Sequence, residues 1–175
     1  MDNIAVDKVK AWISSFVIKL NLCPFAKEAF SKDNIHYVIV KSNEASEIIN
    51  CFKTEIKDLH TSLYSTSVVI IDHKELDFLE YLRIFDWCEK ELNKSGLDEV
   101  FQLASFHPDY QFAGTDYSDQ SNFTNRSPYP LVHILSSAEV AKAINMYGDT
   151  SKIFKRNIEL MESMTSEKLK SYIKK

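Results

Sequence analysis

The chain has 175 residues, 45% of them hydrophobic, and a formal net charge of -4 with acidic and basic residues interleaved. That suffices for a single domain, residues 1–175, whose core buries roughly 70% of the unfolded surface; no basic stripe is present to neutralise phosphates, so nucleic acid is not an expected partner. No apolar run of about 18 residues and no small-residue cleavage pattern occur, which predicts no membrane partner and a cytoplasmic location.

Val6, Val9, Ile13, Phe16, Val17 and Leu20 recur at three- and four-residue spacing, predicting an amphipathic helix from about Asn3 to Leu20 capped by Asp2 or Asn3. It should stop at Asn21-Leu22-Cys23-Pro24, because Pro24 biases Cys23 away from helical geometry. A short second helix over Phe25 to Phe30 then has Pro24 at its start. Cys23, Cys51 and Cys88 are odd in number and widely spaced, which fits reduced thiols better than disulfides or a paired-cysteine zinc site.

Ile35 to Val40 is β-branched and aromatic and reads as a strand, followed at Ser42-Asn43-Glu44 by a helix start. Ala45, Ile48, Ile49, Phe52, Ile56 and Leu59 mark the buried stripe of that helix. Thr66 to Ile71 is a near-continuous apolar run, as a central strand covered on both faces requires. Asp72 and Glu75 have capping-box spacing before a helix from about Glu75 to Lys94, with Leu76, Leu79, Leu82, Phe85, Cys88 and Leu92 inward and Gly96 as its stop.

Val100 to Phe106 is the third strand, and after it come about twenty-four residues with neither helical nor strand periodicity. Loops of that length in a compact domain are usually functional or disordered. Five aromatics, Tyr110, Phe112, Tyr117, Phe123 and Tyr129, argue against disorder. Leu131 to Leu135 is the fourth strand, and Ser136 with Glu139 opens a helix that Gly148 ends. Thr150 caps the next helix, striped by Ile153, Phe154, Ile158 and Met161, with a break near Thr165-Ser166 before Leu169 and Tyr172. The order predicts an α/β or α+β layered domain with a mixed sheet of about four strands flanked by helices.

Between Ser105 and His133 lie three of the four prolines and two of the five histidines, and no lysine occurs between Lys94 and Lys142. His107, at a strand's carboxyl end, is a candidate general base or ligand with Asp109 as orienter; it is equally a strand-end cap. If strands three and four are antiparallel neighbours, His133 lies on the order of 7 to 10 Å from His107 and can share its ligand. His133 also alternates with Leu131 and Leu135, as a satisfied core histidine would. Arg126 can clamp a carboxylate or phosphate through its planar fork, or tie the loop down through carbonyls. Cys23 is a candidate nucleophile, with a distant histidine as base, or a buried thiol before proline. His107, Asp109 and His133 form a possible two-histidine, one-carboxylate metal set, although this spacing is common by chance. No phosphate loop or dinucleotide pattern identifies a cofactor.

Leu22-Cys23-Pro24-Phe25-Ala26, the run Phe101 to Gly114 (FQLASFHPDYQFAG) and Asn125-Arg126-Ser127-Pro128-Tyr129-Pro130 followed by His133 resemble an uncharacterised bacterial family, domain-of-unknown-function family fourteen-fifteen. The resemblance spans nearly the whole chain. It implies that Cys23, His107, Asp109, Tyr110, Gln111, Asn125, Arg126, Tyr129 and His133 are motif positions, and it assigns none of them a role. Ser65-Thr66-Ser67 stands where the family has Glu-Thr-Thr. The leading expectation is a small enzyme acting on a polar or anionic molecule, with His107, Asp109 and Cys23 catalytic and Arg126, Asn125, Tyr110, Gln111, Tyr129 and His133 binding. The alternative is a non-catalytic ligand- or protein-binding module stiffened by its prolines.

Overall fold

The computed structural model describes residues 4–73, 75–147 and 151–174. Seven helices and four strands follow the expected order: α1 (Ile4–Trp12), α2 (Ala26–Ser31), β1 (Ile35–Val40), α3 (Ala45–Thr61), β2 (Thr66–Ile71), α4 (Phe78–Ser95), β3 (Phe101–Phe106), β4 (Leu131–Ser136), α5 (Ser137–Tyr147), α6 (Ser151–Glu162) and α7 (Ser166–Tyr172). The protein is a mixed α/β fold. The expected caps at Asp2 or Asn3, the stop at Gly148 and the cap at Thr150 lie outside the described residues.

The sheet has the order β1-β2-β4-β3, with β1 parallel to β2 and the other pairs antiparallel. β2 is central and buried along its whole length, as its unbroken apolar run requires. Register sorts the side chains by face, because directly paired residues project to the same side. One face carries Val40, Val69, Ile71, Phe101, Val132 and Ile134, covered by Ile48, Phe52 and Ile56 of α3 and Tyr81, Ile84 and Cys88 of α4. The opposite face carries Ile35, Val68, Ile70 and Leu131 under Val9, Trp12, Ile13, Phe16, Met161 and Leu169.

Three local expectations are revised. The first helix continues past Trp12 as a π-helical stretch, Ile13–Ile18, which Lys19 closes by donating to the Ser14 carbonyl. The cap of α4 is Asp77, whose carboxylate accepts from the Glu80 N–H at 2.8 Å, so the cap lies five residues beyond Asp72 and Leu79 is left 66% exposed. In α6 the inward positions are Asn157 and Met161, and Phe154 is 61% exposed. The stop at Gly96 holds: it ends α4 with φ +72°, a left-handed geometry that glycine adopts without steric cost. Thr165 caps α7 by accepting from the Lys168 N–H.

Tyr81 ties α4 to the sheet end from which the long loop leaves. Its hydroxyl donates to the Leu131 carbonyl at 2.7 Å and accepts from the Phe106 N–H at 3.0 Å, and the side chain is fully buried. Tyr81→Phe leaves a buried donor and a buried acceptor unpaired, and should lower unfolding free energy by about 2 kcal/mol in urea denaturation. An unchanged midpoint would show that this hydroxyl is not what joins β3 and β4 to α4.

Candidate functional site

The long loop is ordered by its own polar groups. Its ends meet where the His107 N–H donates to the Asn125 carbonyl and the Asn125 Nδ2 donates to the Ser105 carbonyl. Asn122, fully buried, accepts from the Phe112 N–H and the Thr115 hydroxyl, and donates to the Asp116 carbonyl. A one-turn 3-10 helix, Gln120–Thr124, is the loop's only regular element among the described residues. Gly114, at φ +81°, makes a turn that a side chain would strain.

Arg126 is 4% exposed and sits inside this loop. Nε donates to the Tyr110 carbonyl at 3.1 Å and Nη2 to the Tyr117 carbonyl at 2.7 Å, while the guanidinium lies 4.6 Å from the Tyr117 ring centre and 4.5 Å from that of Phe123. Burial lowers its pKa from the ordinary value, with Tyr117 and Asp109 opposing. Two of its donors are spent on carbonyls of the loop.

His107 is 2% exposed, packed 5.2 Å from Tyr81 and 5.4 Å from Phe78. Nδ1 accepts from the Asp109 N–H, so the proton is on Nε2, which donates to the Leu76 carbonyl at 3.2 Å. The contact from Asp109 to the imidazole is thus a backbone one; the Asp109 carboxylate accepts from the Tyr117 hydroxyl at 2.6 Å, and this bond raises the tyrosine pKa. The Tyr110 hydroxyl meets Ser105, Gln111 donates to the Thr115 carbonyl, and Tyr129 is buried at 6% exposure, its carbonyl accepting from Ser127.

His133 lies elsewhere. β3 and β4 are antiparallel neighbours, as the shared-ligand expectation required, but His133 pairs with Ala104 and Val68 on the face covered by α1, while His107 packs against α4 on the other face. The sheet separates them. That removes the shared ligand and the His107, Asp109, His133 metal set, and no cluster of metal-binding type occurs among the described residues.

What the fold brings together is Cys23 and His133. Both line a cavity of about 560 Å³ whose floor is the sheet face carrying Thr66, Val68, Leu131 and His133, and whose walls come from α1, α2 and α5. The volume is in the range of small-molecule sites, and the lining is mainly apolar. The Thr66 hydroxyl is 2.6 Å from the Ile134 carbonyl and 2.7 Å from His133 Nε2. A carbonyl only accepts, so Thr66 must donate to it and accept from Nε2–H. Among the described residues no group then meets His133 Nδ1, and its lone pair is available. Burial drives the His133 pKa down to about 4, so the ring is neutral near pH 7.

Trp12 lines the same cavity, and its indole N–H is the one buried side-chain polar atom among the described residues without a partner. Such orphans are uncommon in folded proteins. Burial raises the Cys23 pKa, with backbone bonds from Phe25 and Ala26 pulling the other way, so the group is a thiol at neutral pH. At the rim Lys32 pairs with Glu28 at 2.7 Å and Lys142 with Glu139 at 4.0 Å. Sequence reasoning did not single out Thr66 or Trp12; Thr66 looked like the first residue of a strand and Trp12 like one more apolar position, and only strand register and helix placement turn them toward His133.

A family model described as a protein of unknown function (DUF1415) matches residues 4–171. No curated protein and no solved structure matches the chain.

Proposed function

The chain belongs to the DUF1415 family, whose description carries no function, and from the geometry of its own residues we propose that it binds a small, uncharged, largely apolar molecule in the cavity holding Cys23 and His133. The observation that carries this is an unpartnered imidazole lone pair, that of His133 Nδ1, in a mainly apolar cavity. A ligand hydroxyl or amide N–H satisfies it by donating to His133 Nδ1. Its apolar body gains from leaving water at about 25 cal/mol per Å² buried.

Charge decides against an anionic ligand here. The rim lysines are paired with glutamates, and an ion brought against a neutral imidazole and a neutral thiol would be desolvated without compensation. Arg126 offers an anion little, since Nε and Nη2 hold loop carbonyls and the residue is 4% exposed. His107, Asp109, Asn125, Tyr110 and Gln111 are on this reading the loop's framework. Burial raises the Cys23 pKa and lowers that of His133, leaving an unactivated thiol and a weak base, which favours binding over nucleophilic catalysis. No described helix is long and apolar enough to cross a membrane. A cytoplasmic location is part of the proposal, supported by three free cysteines.

Titration with a neutral, environment-sensitive dye such as Nile red tests the reading. Ala29 lines the cavity from the α2 wall. Ala29→Phe is expected to weaken dye binding at least about tenfold by filling the cavity, as the loss of more than 1.4 kcal/mol would. Wild-type affinity in a folded Ala29→Phe protein would place the ligand outside this cavity.

A further inference from the structure

A second cavity of about 260 Å³ adjoins the first, and Val17, Cys23 and Phe106 line both. It runs under the long loop, between Phe112 and Asn125 on one side and Phe154 and Asn157 of α6 on the other. Phe154 is 61% exposed, a large apolar ring standing at an apolar opening. An isolated exposed aromatic needs no explanation, but one that borders a cavity sharing three wall residues with a larger one offers surface to whatever spans both.

On the reading that the large cavity binds a ligand, we propose that the two cavities are arms of one bent site with Cys23 at the elbow, occupied by an elongated uncharged amphiphile such as a long-chain alcohol or amide. His133 holds the polar group in the large arm. The unbranched tail passes the Cys23 thiol and ends between Phe112 and Phe154. A path past the three side chains shared by the two cavities suits a flexible chain better than a rigid ring system of equal volume. The small arm is the only place where the ligand meets the long loop, and it gives Asn125 a contact role through its neighbours rather than through an anion. The thiol touches the middle of the chain, so occupancy of both arms shields it.

Two probes of different reach separate the arms: 1-hexanol, which fits the large arm, and 1-decanol, which extends past the elbow. The readouts are displacement of Nile red and the rate at which iodoacetamide alkylates Cys23, followed by peptide mass spectrometry with the partly exposed Cys51 as internal reference. Saturating 1-decanol is expected to slow Cys23 alkylation at least tenfold and leave Cys51 unchanged. Phe154→Ala, at an exposed position that can be truncated without unfolding the chain, should weaken 1-decanol at least fivefold and 1-hexanol not at all. If 1-decanol displaces the dye while Cys23 reacts at its unliganded rate, or if Phe154→Ala affects both alcohols equally, the two-arm site is wrong and the large cavity stands. If neither alcohol displaces the dye and Ala29→Phe leaves dye binding intact, the underlying reading falls and takes this one with it.

Discussion

Arg126→Ala is expected to lower the unfolding free energy by about 3 to 5 kcal/mol, the cost of removing a buried cation that holds two carbonyls and two rings. Two carbonyls, of Tyr110 and Tyr117, lose their donors, and the Tyr117 and Phe123 rings lose the planar group they sandwich. Each unpaired buried carbonyl costs about 1 to 3 kcal/mol and a desolvated cation-ring contact about 2. Arg126→Lys should recover only part of the loss, since a point charge cannot reach both carbonyls while lying flat between rings. Urea denaturation followed by near-ultraviolet circular dichroism measures this. An arginine kept for clamping an anion would behave oppositely: its removal would leave the midpoint in place and abolish ligand binding.

Stability should also fall with acid in a window set by His133. Its pKa is depressed in the folded chain to about 4 from the ordinary 6.5, so folding favours the neutral ring. The contribution is complete above pH 6.5, where both states are neutral, and is lost as pH falls through 6.5 toward 4, where only the unfolded chain takes up the proton. The full difference corresponds to about 3 kcal/mol, an upper bound because the ring keeps one edge on the cavity. Carboxylates titrate at the low end of this range, so the informative quantity is a difference between proteins. His133→Gln, which keeps an N–H for Thr66 and does not titrate, should show a flatter profile between pH 6.5 and 4.5. Parallel profiles would mean that the imidazole is not desolvated as the structure indicates.

These two residues show why the candidate site was only half legible. Arg126 and His107 stood out because charged and titratable side chains in a lysine-free, proline-framed loop are the usual marks of a binding site. The same marks belong to a loop that must satisfy its own backbone: some two dozen residues without strand or helix need donors and acceptors, and Arg126, Asn122, Asn125 and His107 supply them. Composition does not distinguish the two uses. His133, weighed as a possible core residue, and Cys23, weighed as a buried thiol, turn out to line the cavity. Trp12 and Thr66 carried no local mark at all.

The chain by itself determined what short-range physics controls. The bounds of β1 and β2, the stop at Gly96, the break near Thr165-Ser166 and the central position of the apolar run Thr66–Ile71 follow from periodicity, β-branching and cap chemistry, which act within a few residues. Tertiary structure alone decided which histidine meets which neighbour. Side chains alternate along a strand, so the register of β4 between β2 and β3 turns His133 toward α1 while the chain leaving β3 turns His107 toward α4. That one alternation puts the sheet between two residues of a single motif, and joins His133 instead to Cys23, more than a hundred positions earlier in the chain.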